Sequence, residues 1–477
     1  MSGSVRVPIP RAYADGYGRL GHPLSGIAVA ALATVVSIGA WAASPAAGVV
    51  AAGAAWLVAG PGDRFPGRVL VLFAVAGVFA GWRGATAWDG LAPRQVGVYT
   101  GWARLVDDPQ PYPGSTRVIL EIDGERFEMW ARGRALKLRV GEWQGGDLVH
   151  ARGTRTALDA ERRERVAWQH VVGEFEYDWA SDVAAGGPLA RASNRVRDTI
   201  ERGAAAGMGA PDDAALFRGL VVGDDRDEPQ TMIDRFRASG LSHLTAVSGQ
   251  NVSFVLAASG PLLRGLGPRA RWLASLGLIG WFVTLTRFEP SIVRAGAMAA
   301  ISATGFLLGR QRSPARLLAL AVIVLVAVDP LIVRSVGFQL SVGATAGVAV
   351  LGPPLARRLG ALGPLAEPAG VTLDAQLGVA VPQLLVFGQL PLVSLPANLL
   401  AVPVAGAVML YGLPAALLAG AAPPVAPVVL FPCRLGVRWV DLVAAIAAAA
   451  EPGGRATLVG WSLVALAFAW LASSRDR

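Results

Sequence analysis

Long runs of apolar residues constrain the fold of this chain more than any other feature. Three runs lie near 26–43, 46–60 and 67–82, and the sequence is almost continuously apolar after residue 243. A helix needs about 20 mostly apolar residues to cross the roughly 30 Å hydrocarbon core of a bilayer. We predict a polytopic α-helical membrane protein with roughly 10–12 spans. The later apolar runs lie near 244–264, 271–286, 291–309, 315–328, 335–355, 374–392, 394–418 and 455–472.

The composition agrees with a membrane location. Of the 477 residues, 53% are hydrophobic and only 16% are charged, whereas soluble proteins carry about 25% charged residues. The net charge is +9, and every basic residue except Lys137 is an arginine. Much of the excess positive charge lies in short loops. Such loops follow the positive-inside rule, so the net charge alone does not indicate nucleic-acid binding. The single cysteine, Cys433, excludes an intrachain disulfide and is predicted to be an apolar packing residue.

A different pattern fills residues 95–180. Apolar and polar residues alternate in short runs, as in Thr116–Ile122, and turn residues such as Asp123-Gly124 separate the runs. Short alternating runs bounded by Gly and Asp indicate β-strands. We predict a small all-β domain, a barrel or a sandwich, inserted among the membrane helices.

Basic and aromatic residues occur close together within this β region. In grooves that hold single-stranded nucleic acid, rings stack on bases and cations meet phosphates. The alternative is an ordinary solvated strand edge, and the sequence does not choose between the two. The candidate DNA-binding residues are Phe127, Trp130, Arg132, Arg134, Lys137 and Arg139.

The remaining segments complete the predicted organisation. Residues 188–240 are amphipathic and charged, with a helix predicted over Ala214–Val222 that ends at Gly223. The amphipathic stretch 432–450 is either a further span or an interfacial helix. The predicted parts are a tail (1–25), N-terminal transmembrane helices (26–90), the β domain (91–182), an amphipathic helical connector (183–242), a second transmembrane domain (243–472) and a short tail (473–477).

The placement of arginine predicts the orientation in the membrane. Arginines precede the first span, lie between the second and third spans, and recur in two later loops. If all these loops are cytoplasmic, the spans alternate without conflict. The β domain then lies outside the cytoplasmic membrane and both termini lie in the cytoplasm. The arginines concerned are Arg6, Arg11, Arg19, Arg64, Arg68, Arg310, Arg312, Arg316, Arg357 and Arg358.

Polar residues gather near the ends of several apolar runs. An ionisable side chain at the bilayer centre costs about 2.5–3.5 kcal/mol, so those that persist usually face a cavity or a partner. Span ends are often polar in any case, and Ser, Thr and Asn also hydrogen-bond between helices. Because several separate groups occur, we predict that they line a polar path. The predicted path residues are His243, Ser248, Gln250, Asn251, Glu289, Ser291, Arg294, Gln339, Ser341 and Asn398.

These polar segments resemble the signature of the ComEC-type competence family of DNA-uptake channels. Four segments match in the family's order, Ser239–Gly249, Pro290–Ala295, Asp329–Ser341 and Ala397–Pro403. The resemblance implies an OB-like β domain between the early spans and the channel. It also implies a channel that passes single-stranded DNA through the bacterial inner membrane during natural transformation. A separate DNA-receptor protein, a nuclease and a cytoplasmic ATP-driven motor are the expected partners.

The chain departs from the family at two points. Members usually read Ser-Gly-Leu-His-Val at the signature, whereas this chain has Ser248-Gly249-Gln250-Asn251-Val252. Many members also end in a metallo-β-lactamase-like domain, which this sequence lacks, and its four histidines form no clustered metal motif. We therefore expect a channel rather than an enzyme, with no cofactor and no metal. The oligomeric state stays open, a homo-oligomer included.

Two other functional classes stay open. The segment Ala246–Gly249 is close to the Gly-x-Ser-Gly of intramembrane serine proteases, but a nucleophilic serine needs a base within reach, and no histidine follows His243. A secondary transporter for a small solute would show internal repeats and intramembrane carboxylates.

The sequence contains no phosphate-loop motif, so ATP-driven pulling would come from a partner.

Overall fold

A computed structural model describes residues 26–59, 67–245, 249–310, 313–358, 363, 366–454, 456–457 and 459–462, without the side chains of 353–358. The chain is mostly helical, and a six-stranded sheet follows the third helix. The prediction of a helical membrane protein with an inserted β domain is confirmed. The predicted tails, 1–25 and 473–477, lie outside the described residues.

Three apolar helices begin the described chain, α1 (Gly26–Ala42), α2 (Pro45–Ala59) and α3 (Gly67–Asp89). They pack backbone to backbone, since a Cβ added to Gly39 would lie only 2.7 Å from the carbonyl oxygen of Gly77. Small residues allow such close approach between helices in lipid, where no hydrophobic effect drives helices together.

Residues 97–184 form a closed barrel. The hydrogen-bonded strand order is β1-β5-β6-β4-β3-β2, and β1 also pairs with β3, which closes the barrel. All neighbouring strands are antiparallel except β4 and β6. Without the short β2, this is the five-stranded Greek-key arrangement of the OB fold, so the OB-like prediction is confirmed. The strands are β1 (Gly97–Leu105), β2 (Gln110–Tyr112), β3 (Ser115–Ile122), β4 (Glu125–Arg132), β5 (Leu148–Ala157) and β6 (Val171–Ala184).

The structure has the turn that the sequence predicts between β3 and β4. After β4 it has a helix that the sequence pattern did not predict. Asp123 and Gly124 have φ values of 53° and 79° and join β3 to β4, as expected for an Asp-Gly hairpin. Residues Arg134–Gly141 form the helix α4 rather than a strand edge. Arg, Ala, Leu and Lys dominate this segment, and all four are strong helix formers. A second short helix, α5 (Ala160–Val166), precedes β6.

Three helices connect the barrel to the later apolar helices, α6 (Pro188–Gly207), α7 (Pro211–Val222) and α8 (Gln230–Ala238). The predicted helix before Gly223 is confirmed, and Gly223 ends it with φ 67°, the left-handed conformation that glycine adopts most easily. The buried face of α6 packs on a later helix, where Gly203 and Gly420 leave room for backbone contact.

The last part of the chain is a helical domain. Three helices of the described chain, Gly67–Asp89, Ala366–Phe387 and Ser394–Ala421, are long and apolar enough to cross a membrane, and four shorter apolar helices accompany them. The exact number of spans stays a prediction. Cys433 is buried in α18, which confirms its packing role. The helices are α9 (Ser242–Thr245), α10 (Gly249–Leu263), α11 (Pro268–Leu285), α12 (Pro290–Leu307), α13 (Pro314–Val328), α14 (Val336–Arg358), α15 (Ala366–Phe387), α16 (Ser394–Ala421), α17 (Ala426–Val429) and α18 (Phe431–Ala450).

Candidate functional site

Three of the predicted polar segments meet at Arg294. This arginine lies one turn inside α12 and is only 5% exposed. Its Nε donates a hydrogen bond to Oγ of Ser341 on α14 at 2.9 Å, and its Nη1 lies 3.1 Å from Sδ of Met298. A Cβ added to Gly249, the first residue of α10, would lie 2.8 Å from Nη2 of Arg294. The structure therefore joins α10, α12 and α14 around one buried guanidinium.

The residues before Arg294 in the sequence place it in the first turns of α12. Pro290 is the first residue of α12, where its fixed φ favours the start of a helix. Arg294 follows one turn later and faces the neighbouring helices. Among the described residues, Arg294 has no carboxylate in ion-pair contact and relies on neutral partners. A buried cation without a carboxylate is costly, and such residues usually mark a functional path or partner site.

Some of the other predicted path residues donate hydrogen bonds to backbone carbonyls, and others are exposed. Asn251 is buried and donates to the carbonyl of Leu220 at 3.3 Å. Gln339 donates to the carbonyl of Val333 at 2.9 Å, and Asn398 to that of Ser394 at 2.7 Å. His243, Gln250 and Glu289 are exposed, Ser291 is half-buried, and Ser248 lies outside the described residues. The lining role of the whole set therefore stays a prediction.

The candidate DNA-binding residues of the barrel do not form a single exposed surface. Phe127 is fully buried in the barrel core, so the expectation that its ring contacts nucleic acid is wrong. Alternation explains this, because every second residue of β4 faces the interior. Trp130 is half-buried and stands edge-on to Tyr112, with ring centroids 5.3 Å apart. The basic residues lie on or next to α4, where Arg132, Arg134 and Arg139 are exposed and Lys137 is half-buried.

A groove of about 860 Å³ separates the barrel from the helical connector. Arg134 and Lys137 of α4 line one wall, and Arg226 from the α7–α8 turn lines another. The groove also contains three acidic side chains, so its charge is mixed rather than uniformly basic. The acidic lining residues are Glu142, Glu201 and Asp227.

A buried ionic cluster fixes the barrel to the helical domain beneath this groove. Asp108, in the loop after β1, accepts hydrogen bonds from Arg287 in the α11–α12 turn and lies 2.9 Å from Nη2 of Arg197 on α6. Burial alone would raise the pKa of Asp108, but Arg197 and Arg287 outweigh it and hold this pKa well below its usual range. Arg197 also approaches Asp224 at 3.6 Å.

A second contact anchors the opposite side of the barrel. Nε2 of His170 lies 3.0 Å from Oδ2 of Asp329, which precedes Pro330 at the start of a short 3₁₀ turn. Arg334 at the end of this turn lies over the Trp88 ring, 4.2 Å from its centroid. The Asp329-Pro330 pair, singled out by the sequence, thus serves at least in part to dock the barrel.

Sequence reasoning missed Asp108, Arg287 and Asp374. The first two lie in loops, and no local pattern pairs residues 179 positions apart. Asp374 carried a visible signal, since it is a carboxylate within an apolar run. It lies inside α15 with 0% exposure.

Comparison with known proteins decides the family. The family model described as Competence protein matches residues 220–475, more than half of the 477-residue chain. The chain belongs to the competence protein family. It is 30% identical over 196 residues to ComE operon protein 3 of Bacillus subtilis (strain 168), an alignment that covers 40% of this chain and 25% of that relative. No solved structure matches the chain.

The family match covers part of the architecture. The Arg294 cluster and Asp374 lie within residues 220–475, and the barrel lies before them. The resemblance given by the four polar segments is therefore confirmed at the level of the family. The chain spans about a quarter of the length of the relative that it matches, so the activity of the whole relative does not transfer directly.

Proposed function

We propose that this protein is an inner-membrane channel that conducts single-stranded DNA into the cytoplasm during natural transformation. Membership of the competence family and the candidate membrane helices support this function. The observation that carries it is the convergence of three family segments on the buried Arg294. A cation in an apolar domain, held by neutral partners, can attract a phosphate without competing with a carboxylate.

The strand would first contact the groove beside α4. Arg134 and Lys137 offer cations to phosphates there, and the acidic residues of the groove keep binding weak enough for release. Conduction requires such weak, successive contacts. Arg294 is closed off by Gly249 and Ser341 in this arrangement, so we propose that α10 or α14 moves away from α12 when DNA passes.

The structure also bears on how the proposed channel lies in the membrane. Arg287 before α12 and Asp329 after α13 both contact the barrel, so the α12–α13 turn lies at the other end of these helices. We propose that the barrel is extracytoplasmic and that this turn is cytoplasmic. A DNA receptor, a nuclease and an ATP-driven motor are proposed as separate partners.

Complementation of a deletion strain tests the proposed function. Arg294→Ala should reduce DNA uptake severely while the protein still inserts, because loss of a buried charge does not oppose insertion. Arg294→Lys should keep part of the uptake if charge alone matters, and little if the planar guanidinium is needed. Membrane-fraction immunoblots control for protein level. Normal uptake with Arg294→Ala would exclude this arginine from the path.

A secondary transporter for a small solute is the second candidate. Asp374, fully buried in a candidate span, is the kind of intramembrane carboxylate that ion-coupled transporters use. Uptake of DNA by the complemented strain decides between the two. For the protease alternative, Ser248 lies outside the described residues, and Ser248→Ala is the test. A nucleophile would lose all activity, whereas a path serine should tolerate alanine.

A further inference from the structure

Asp374 is a buried carboxyl group inside a helix of the helical domain. It lies eight residues into α15, about 12 Å from the start of this helix. Its side chain has 0% exposure, and neither carboxylate oxygen has a hydrogen-bond partner among the described residues. Buried polar groups are almost always paired. The isolated carboxyl group therefore requires an explanation.

Asp374 lies where two helices pack closely together. Helices α14 and α15 touch through their backbones, because a Cβ added to Gly347 would meet the carbonyl oxygen of Asp374 and one added to Gly378 would meet that of Gly343. A Cβ on Gly352 would lie 3.4 Å from Oδ2 of Asp374. Close glycine packing of this kind brings the two helix backbones into direct contact beside the carboxyl group.

The charged groups near Asp374 are few. On α15 itself, Glu367 is exposed almost two turns earlier. On α14, Arg357 and Arg358 follow Gly352, and their side chains lie outside the described residues. From α16, the neutral Ser394 accepts a hydrogen bond from Gln376. The described part of the chain contains no group of three His, Cys, Asp or Glu residues suited to a metal ion, and a single carboxylate does not hold one.

An ionised carboxylate in this position would be costly. A charge transferred to an apolar region without hydrogen bonds loses its solvation, and such groups become neutral instead. A neutral carboxyl group fits the packed pair, whereas an ionised one would need water or a cation between α14 and α15. Either would push the two helices apart.

We propose that Asp374 is a proton-binding site, and that release of its proton loosens the α14–α15 pair and moves α14. Ser341 lies two residues before Gly343 on α14, so this movement would separate Ser341 from Arg294. The proton would thus control access to the Arg294 cluster. This last step rests on the proposed function, whereas the proton site itself does not.

Infrared spectroscopy of the full chain in lipid vesicles tests the proton site. We expect the C=O band of a protonated carboxyl group at neutral pH, and Asp374→Asn should remove one such component. Asp178→Asn is the matched control, because the Asp178 side chain is exposed and lies 3.9 Å from Arg152, so it should contribute no such band. Identical spectra for the wild type and Asp374→Asn would overturn the proposal. So would a new band that appears only in Arg357→Gln/Arg358→Gln, since it would show that these arginines keep Asp374 ionised.

Release of a labelled single-stranded oligonucleotide from the same vesicles tests the coupling. Wild-type flux should rise as alkaline pH removes the proton, whereas Asp374→Asn should give low flux at every pH because asparagine mimics the protonated form. A wild-type pH profile in Asp374→Asn would overturn the coupling. If the wild type passes no oligonucleotide at any pH, the channel function fails, and the infrared result still decides the proton site.

Discussion

Arg287 grips Asp108 with two hydrogen bonds, from Nη2 to Oδ1 at 2.8 Å and from Nε to Oδ2 at 3.2 Å. This fork joins the turn before α12 to the barrel loop after β1. A paired guanidinium and carboxylate fix orientation as well as distance. Because α12 carries Arg294, the position of the barrel and that of the Arg294 cluster are linked through one short turn.

The first prediction concerns this fork. Asp108→Ala removes the carboxylate that Arg287 and Arg197 share and leaves Arg197 only the more distant Asp224, at 3.6 Å. Breaking a buried pair costs about 3–5 kcal/mol. We expect a clear drop in the thermal unfolding midpoint of the purified protein in detergent. Arg152→Gln is the control, since its partner Asp178 is 3.9 Å away and both side chains are exposed. It should change stability by less than about 1 kcal/mol. Equal effects would contradict the role of the fork.

The second prediction concerns Glu228 in the turn between α7 and α8. Burial, with Asp225 and Asp224 nearby, raises the pKa of Glu228 from 4.5 to about 8. The folded protein therefore holds a proton that the unfolded chain releases, and stability falls as pH rises from about 4.5 to about 8. Glu228→Gln should flatten this decline and stabilise the protein most above that range.

Unfolding midpoints measured across this pH range check the Glu228 prediction. Glu176→Gln, on the exposed surface of the barrel, is the control and should leave the pH profile unchanged. If Glu228→Gln declines with pH as steeply as the wild type, another group controls the profile. Asp107 is the next candidate, because burial and the neighbouring Asp108 raise its pKa to about 6.

The third prediction uses two glycines of the same helix, α10. Gly249→Ala would place a Cβ 2.8 Å from Nη2 of Arg294 and 2.9 Å from Cβ of Ala295, and overpacking of this kind costs about 1–3 kcal/mol. Gly260→Ala meets nothing within 4 Å and should change stability little, because the better helix propensity of alanine is offset by its clash with the following Pro261. DNA uptake and unfolding midpoint should both fall for Gly249→Ala alone. Matching behaviour of the two variants would argue against close contact at Arg294.

The fourth prediction concerns topology. Single cysteines at Ser181 on the barrel and at Ser313 in the α12–α13 turn are both placed at exposed positions, in a Cys433→Ser background. In cells whose inner membrane is intact but whose outer envelope admits the reagent, a membrane-impermeant thiol reagent should label position 181. Position 313 should be labelled only after the inner membrane is permeabilised. The reverse labelling would invert the proposed orientation.

The fifth prediction concerns the groove beside α4. The full chain in detergent should bind a single-stranded oligonucleotide weakly and with strong salt dependence. Replacing Arg134 and Lys137 with glutamine should weaken binding and lower the salt slope by about 1.4, since each phosphate contact on a single strand contributes about 0.7. Fluorescence anisotropy at several salt concentrations measures this slope. Arg152→Gln is the exposed-arginine control, and an equal loss there would indicate general charge attraction instead.

The amino-acid sequence by itself determined the membrane class, the inserted β domain and the polar segments of the family. These are properties of local pattern, because apolar length, strand alternation and turn residues act over a few neighbouring positions. The Asp123-Gly124 turn and the helix that ends at Gly223 were both predicted in this way. Local pattern also indicated Arg294, since a charged residue in an apolar run is visible without a structure.

The tertiary structure decided which of these residues meet. Strand alternation placed Phe127 inside the barrel, whereas Arg132 at the end of the same strand is exposed. Ion pairs between distant loops joined Asp108 to Arg287, and no periodicity encodes a contact of that separation. Glycine packing between α14 and α15 isolated Asp374 from solvent. These features depend on distance in space and on the exclusion of water, which only the folded chain sets.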